Sequence, residues 1–155
     1  MQTRREMLSH SARLAAMLAA TGAMPGWVQA QAGGYNSAAF AAKTMSDLMK
    51  SLGVGMPAES KDVAITGPDI AENGAVVPIG AASSLPGVKR LLVLVEKNPS
   101  LLAAMFEVTD SIEPNISTRV KMGQSSNVYA VAMMNDGKVF FAQKEVKVTL
   151  GGCGG

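Results

Sequence analysis

Apolar and polar residues alternate along much of the chain after residue 60, which is the pattern of strands with one buried and one exposed face. The clearest example is the segment 145–150, in which three polar residues alternate with three apolar ones. The segment 89–96 is instead apolar through its middle, with charged residues at its ends, and predicts a central strand. The whole pattern predicts about seven strands, at 63–66, 75–79, 89–96, 101–108, 116–122, 128–134 and 138–150.

Turn residues separate these runs. Asn73-Gly74 and Asn98-Pro99 stand between neighbouring runs, and Asn135-Asp136-Gly137 is typical of a tight hairpin. Short strands with frequent turns predict an all-β fold, an immunoglobulin-like antiparallel β-sandwich. Pro78 has no amide hydrogen to donate, so we expect its strand at a sheet edge or at a bulge.

Residues 37–52, which precede the strands, carry apolar side chains at roughly helical spacing and predict one N-terminal helix. Asn36 or Ser37 is suited to cap its first turn, and Gly53 is suited to end it. The short segment 101–105 suits a helix as well as the start of a strand, so the pattern alone leaves both structures open there.

The first 32 residues have the composition of an export signal. Arg4 and Arg5 form an adjacent pair, a weakly apolar run of small residues follows, and cleavage motifs end at Ala30 and Ala32. The residues around the arginine pair resemble the twin-arginine signal, which exports folded proteins, so we expect a periplasmic protein. The alternative is an amphipathic helix of a cytoplasmic protein, which accounts for neither the proline break nor the cleavage motifs.

Removal of that segment changes the charge of the chain. It takes away Arg4, Arg5, Arg13 and Glu6, so the 14 basic and 12 acidic residues both fall to 11 and the mature chain is formally neutral. No basic face for nucleic acid is then expected. The single histidine, His10, also leaves, which excludes histidine-based triads, cysteine–histidine pairs and histidine metal sites. We therefore expect no catalytic residue, no metal and no cofactor.

The chain ends in GGCGG, in which Cys153 is its only cysteine. Glycine loses more backbone entropy on ordering than any other residue, so the tail predicts a flexible arm around the thiol. Three residues beyond the last strand place the thiol up to about 10 Å from the sandwich. With no base or oxyanion donor in the sequence around it, the thiol suits insertion into another protein's active site. The glycines of the arm are Gly151, Gly152, Gly154 and Gly155.

These features together resemble the SoxY family of sulfur carrier subunits. The resemblance rests on the terminal GGCGG, the export signal and the stretches 69–78 and 96–99, and it covers essentially the whole chain. It implies a non-catalytic periplasmic carrier that holds thiosulfate-derived sulfur covalently on Cys153. It also implies a heterodimer with a SoxZ-like subunit. The transient partners that it implies are a SoxAX-like c-type cytochrome complex, a SoxB-like hydrolase and a SoxCD-like sulfur dehydrogenase.

The predicted organisation is a signal peptide at 1–32, a carrier domain of helix and sandwich at 33–150, and an arm at 151–155. Two other functions stay open. A carrier that ends in Gly-Gly would hold sulfur as a thiocarboxylate on Gly155, which requires ATP-dependent activation in the cytoplasm. A structural immunoglobulin-like module would use Cys153 for a disulfide between two chains.

Overall fold

The computed structural model describes residues 36–150, in which two short helices precede nine strands. The helices are α1 (Ser37–Ala41) and α2 (Met45–Leu52). The strands are β1 (Ala58–Glu59), β2 (Val63–Thr66), β3 (Ile70–Asn73), β4 (Val77–Ser83), β5 (Val88–Val95), β6 (Leu102–Glu107), β7 (Asn115–Val120), β8 (Ser126–Met134) and β9 (Val139–Leu150). Neither helix is long and apolar enough to cross a membrane.

The strands form two sheets. The larger sheet has the order β1-β9-β8-β5-β6, with β3 also paired to β9, and the smaller sheet has the order β2-β4-β7. Successive strands in the run β9-β8-β5-β6 are antiparallel, as are successive strands of the smaller sheet. Strands β1 and β3 instead run parallel to β9. The predicted all-β, immunoglobulin-like sandwich with helix at its N-terminal side is thus confirmed.

Strand β5 lies between β8 and β6 and is buried on both faces. Leu91, Val93 and Val95 contribute to the core between the two sheets. Leu92 and Leu94 contribute to a second core on the opposite face, beneath the helices. Burial of both faces explains why this run is apolar without alternation, and it confirms the predicted central strand.

The helices supply the apolar cover for the outer face of the larger sheet. Leu48 and Met49 of α2, together with Ala39 of α1, pack in one cluster with Val131 and Val139 of the sheet. The sandwich is therefore three layers thick at this point, and its middle layer is screened from water on both sides.

The prediction of one continuous helix over 37–52 is wrong, because two separate helices form there. The backbone becomes extended at Ala42, where ψ is 134°, and again at Thr44, where φ and ψ are −123° and 155°. Thr44 Oγ1 accepts a hydrogen bond from Asp47 N at 3.1 Å and thereby caps α2. Gly53 ends α2 in the left-handed region with φ of 70°, as predicted.

Two strands escaped the sequence prediction. Strand β1 has only two residues, both exposed, so no alternation can develop within it. Strand β3 buries only Ala71 and exposes its other three residues, which hides the period of two. The ambiguous segment 101–105 belongs largely to β6, so the strand prediction there is confirmed.

The edge position predicted from Pro78 is wrong, because β4 is the middle strand of the smaller sheet. At Pro78 itself, however, β4 pairs only with β7, opposite Arg119. Its pairing with β2 begins two residues later, at Gly80. The proline is tolerated because this part of β4 has a strand neighbour on one side only.

Replacement of Leu48 by alanine should lower the free energy of unfolding by about 2–5 kcal/mol, because it removes a fully buried side chain and leaves a cavity. Leu150→Ala is the matched control, since the same change at a side chain that is 71% exposed should cost less than about 0.5 kcal/mol. Urea unfolding measures both variants. Equal losses in the two would contradict helix packing on the sheet.

Candidate functional site

The residues predicted to carry function lie outside the part of the chain that the structure describes. These residues are Cys153, the arm glycines Gly151, Gly152, Gly154 and Gly155, and the export arginines Arg4 and Arg5. The last described residue is Leu150, the end of β9, so the structure shows the point from which the predicted arm leaves. We call residues 147–150 the arm root.

The arm root extends beyond the strand that pairs with most of β9. Pairing of β8 with β9 runs from Val139 to Val146 and stops there. Residues 147–150 pair instead with β3, in which Ile70 lies opposite Lys147 and Asn73 lies opposite Leu150. The last four residues of β9 are therefore still part of a sheet, although β8 no longer accompanies them.

Hydrogen bonds fix the arm root from both sides. Gly74 N donates to the carbonyl oxygen of Leu150 at 2.7 Å, and Lys147 N donates to Asp69 O at 2.9 Å. From the opposite side, Val148 N donates to Ser125 Oγ at 2.9 Å. These bonds satisfy backbone groups on both edges of β9 beyond the end of its pairing with β8. The chain that leads to Cys153 thus starts from a fixed position.

The turn between β3 and β4 links the arm root to the smaller sheet. Asn73 Oδ1 accepts from Ala75 N at 2.9 Å and holds the turn in shape. The buried Gly74 donates its N–H to Leu150, and its carbonyl oxygen accepts from Met122 N at 2.7 Å. One glycine residue therefore joins the end of β9 to the chain that follows β7.

The turn between β5 and β6 lies at the same end of the sandwich. Asn98 Nδ2 donates to Lys121 O at 2.7 Å, one residue before Met122. Glu96 Oε2 accepts from Asn127 Nδ2 at 2.9 Å. Burial raises the pKa of Tyr129, and the charge and hydrogen bond of Glu96 raise it further. Both stretches that carried the sequence resemblance, 69–78 and 96–99, thus lie at the arm root's end of the fold.

An ion pair joins β9 to the residue that precedes β3. Lys144 Nζ lies 2.8 Å from Asp69 Oδ1. The hydrogen bond from Lys144, together with its positive charge, holds the pKa of the Asp69 carboxyl below its ordinary value of 3.8. The Asp69 carboxylate is 90% exposed, so solvent screens the pair. It supports the register of β3 on β9 rather than forming a reactive centre.

Within residues 36–150 the structure shows no cluster of side chains that could bind a metal ion. No three His, Cys, Asp or Glu side chains among them are grouped closely enough to bind a metal ion. The fold and the anchored last strand therefore define a class of protein: an immunoglobulin-like β-sandwich whose C-terminal extension carries the one cysteine of the chain.

Comparison with known proteins identifies the family. The model of the family "Sulfur oxidation protein SoxY" matches residues 49–153, and the chain belongs to this family. The structure of the sulfur carrier protein SoxY from Chlorobium limicola f. thiosulfatophilum is 33% identical, with a TM-score of 0.59. That match covers 70% of this chain and 100% of the Chlorobium protein.

A second solved structure shows only that the fold is shared. A variant of superoxide reductase (neelaredoxin) from Ignicoccus hospitalis is 18% identical, with a TM-score of 0.51. This match covers 59% of the chain and 82% of the reductase. Curated proteins give no match to the sequence.

Sequence reasoning missed the contacts that hold the arm root. The pattern located the turn at Asn73-Gly74, but it gave no reason to place that turn against Leu150. Ser125 likewise stands in a polar loop with no periodic pattern, and its role depends on the position of Val148 in space. The resemblance of 69–78 to a known family was the one available indication that this stretch matters.

The pH dependence of the Asp69–Lys144 pair follows from the direction in which the pKa of Asp69 is shifted. Because the folded-state pKa of Asp69 lies below the unfolded value, the pair stabilises the fold above that value and is lost as pH falls through the folded pKa. NMR titration of the Asp69 carboxyl carbon should give a pKa below 3.8 that rises toward 3.8 in Lys144→Gln. Lys138→Gln, which unpairs Asp136 instead, should leave it unchanged. The same Asp69 pKa in Lys144→Gln and the unmodified chain would contradict the pair.

Proposed function

We propose that this chain is a periplasmic sulfur carrier that holds thiosulfate-derived intermediates covalently on Cys153. It presents them to the enzymes of the Sox thiosulfate-oxidation pathway and is not itself catalytic. The observation that carries the proposal is the extent of the family match, which runs through β9 to Cys153 itself. The matched Chlorobium structure is of a sulfur carrier protein. Cys153 is the only cysteine, so no other thiol of the chain competes for the role.

Loading of the carrier is an oxidation. The Cys153 thiol and thiosulfate, S₂O₃²⁻, give Cys153–S–S–SO₃⁻, one proton and two electrons. The new bond joins the cysteine sulfur to the outer sulfur of thiosulfate, and the electrons pass to a c-type cytochrome complex of SoxAX type. The covalent bond prevents loss of the intermediate by diffusion, yet a thiolate can still break it.

The anchored arm root supports presentation to several enzymes. The hydrogen bonds to Leu150 and Val148 keep the end of β9 in the sheet, so bending there is disfavoured. The two glycines on each side of Cys153 add no side chain that would widen the segment next to the thiol. A narrow segment that starts from a fixed position suits entry into an active-site channel.

Membership of the SoxY family implies a Sox pathway complex. In our proposal the stable partner is a SoxZ-like subunit, and a SoxB-like hydrolase and a SoxCD-like dehydrogenase act on the loaded cysteine after the cytochrome complex. The twin-arginine route carries folded cargo, so the signal with Arg4 and Arg5 serves both subunits when they assemble before export.

Replacement of Cys153 by serine should abolish both loading and thiosulfate oxidation, because no second thiol is present. Intact-mass spectrometry of carrier from cells that oxidise thiosulfate should show the adduct only in the unmodified chain. The free energy of unfolding should change by less than about 0.5 kcal/mol, because residue 153 lies beyond the last strand.

The same spectra separate the other two functions. Sulfur in place of a carboxylate oxygen of Gly155 would support the thiocarboxylate carrier. Loss of an oligomer in Cys153→Ser without any loss of thiosulfate oxidation would support the structural module. Either result would contradict a cysteine-bound carrier.

Replacement of both Arg4 and Arg5 by lysine should keep this chain and its partner subunit in the cytoplasm, because the twin-arginine route recognises the arginine pair. Arg13→Lys, in the same predicted signal but outside the pair, is the matched control and should not change export. Fractionation of cells followed by detection of each subunit is the measurement. A periplasmic partner with this chain retained inside would contradict joint export.

A further inference from the structure

The turn that follows β3 contains the one Asn-Gly pair of the chain, Asn73-Gly74. The carboxamide of an asparagine can be attacked by the backbone nitrogen of the next residue, with loss of the amide. Glycine in the second position favours this ring closure, because it has no side chain and its backbone is flexible. The other five asparagines of the chain are each followed by a residue with a side chain. Position 73 is therefore the site at which the sequence favours deamidation most.

The structure ties up the nitrogen that would attack. Gly74 is buried, and its N–H donates to the carbonyl oxygen of Leu150 at 2.7 Å. The carbonyl oxygen of Gly74 accepts from Met122 N, also at 2.7 Å, so the residue is held at both of its polar groups. Ring closure requires the nitrogen to give up its proton, and the bond to the arm root opposes this step.

The side chain that would be attacked is held as well. Asn73 Oδ1 accepts from Ala75 N at 2.9 Å, which fixes the orientation of the carboxamide. The backbone of Asn73 lies opposite Leu150 in the pairing of β3 with β9. Next to this pair, Thr149 Oγ1 donates to the carbonyl oxygen of Glu72 at 3.0 Å. Rotation of the Asn73-Gly74 segment into a ring therefore requires the arm root to open locally.

We propose that Asn73 is a deamidation site whose rate is set by opening of the arm root, and that its modification releases the arm root in turn. Asn73 itself is exposed, so the water that completes the reaction has access to it. The modification requires no enzyme and no reactant besides water. The inference concerns residues 69–78 and the end of β9, and it is independent of what Cys153 carries.

The reaction has two steps. The Gly74 nitrogen attacks Asn73 Cγ, the bond between Cγ and Nδ2 breaks, and ammonia leaves with the amide proton. Water then opens the resulting cyclic imide at one of its two carbonyl carbons. Opening at Cγ gives aspartate, and opening at the main-chain carbon gives isoaspartate. No electrons are exchanged, and either product carries a new carboxylate.

Isoaspartate at position 73 changes the backbone itself. The chain then runs through Cβ and Cγ of this residue, which inserts one methylene group between β3 and the turn. Gly74 is displaced relative to Leu150 and Met122, the two residues that its backbone groups bind. The carbonyl oxygen of Leu150 thereby loses its donor, and the end of β9 is released from one of its two sides.

The experiment measures how fast residue 73 loses its amide. The mature chain is purified with any subunit that stays bound and is kept at mildly alkaline pH, at which loss of the amide proton is favoured. Mass spectrometry of peptides gives the deamidated fraction over time. The unmodified chain is compared in the folded state and in urea, and with an arm-root variant and a matched control.

The arm-root variant is Ser125→Ala/Thr149→Val, which removes the side-chain hydrogen bonds to Val148 N and Glu72 O. The matched control is Thr44→Val/Ser51→Ala, which removes side-chain hydrogen bonds of the same kind at α2. Helix α2 packs near Val139, at the opposite end of β9. If the arm-root variant does not fold, Ser125→Ala alone takes its place.

In the folded unmodified chain, Asn73 should deamidate at least about ten times more slowly than in urea, because opening of the native state is rare. The arm-root variant should deamidate about five times faster than the unmodified chain, the factor for a net loss of one hydrogen bond. The matched control should keep the unmodified rate. Hydrogen exchange of the segment 146–150 should be faster in chains that contain isoaspartate at position 73.

Four results would overturn the proposal. Equal rates in the folded chain and in urea would show that the fold does not protect Asn73. An unchanged rate in the arm-root variant would assign the protection to other groups. Equal acceleration in the variant and in the control would show that general unfolding limits the reaction. Unchanged hydrogen exchange of 146–150 after isoaspartate formation would show that the modification leaves the arm root in place.

Discussion

The backbone hydrogen-bonding requirement at the end of β9 is the constraint on which this end of the fold depends. Strand β9 runs to Leu150, whereas β8 accompanies it only as far as Val146. Four residues would therefore end the strand with unpaired N–H and C=O groups on both sides. Strand β3 supplies one set of partners and Ser125 supplies another, so the strand keeps its geometry to its last residue.

The sequence predicts most of the sandwich because the pattern of apolar and polar residues along a strand reflects which of its side chains are buried. Strand β9 has one face toward the core, and its alternating segment 145–150 shows that face clearly. Strand β5 is buried on both faces, and its uninterrupted apolar run shows this as well. The family could also be recognised, because the terminal GGCGG unites an unusual composition with a unique cysteine.

The rest of the fold and site could not be predicted, since it depends on contacts between segments far apart in the chain. Strand β3 buries only Ala71, so its existence follows from its pairing with β9 rather than from its own pattern. The helix break at Thr44 depends on a cap that competes with a continuous apolar periodicity. Ser125 stands in a loop without a periodic pattern, so only the position of Val148 in space gives its hydroxyl a role.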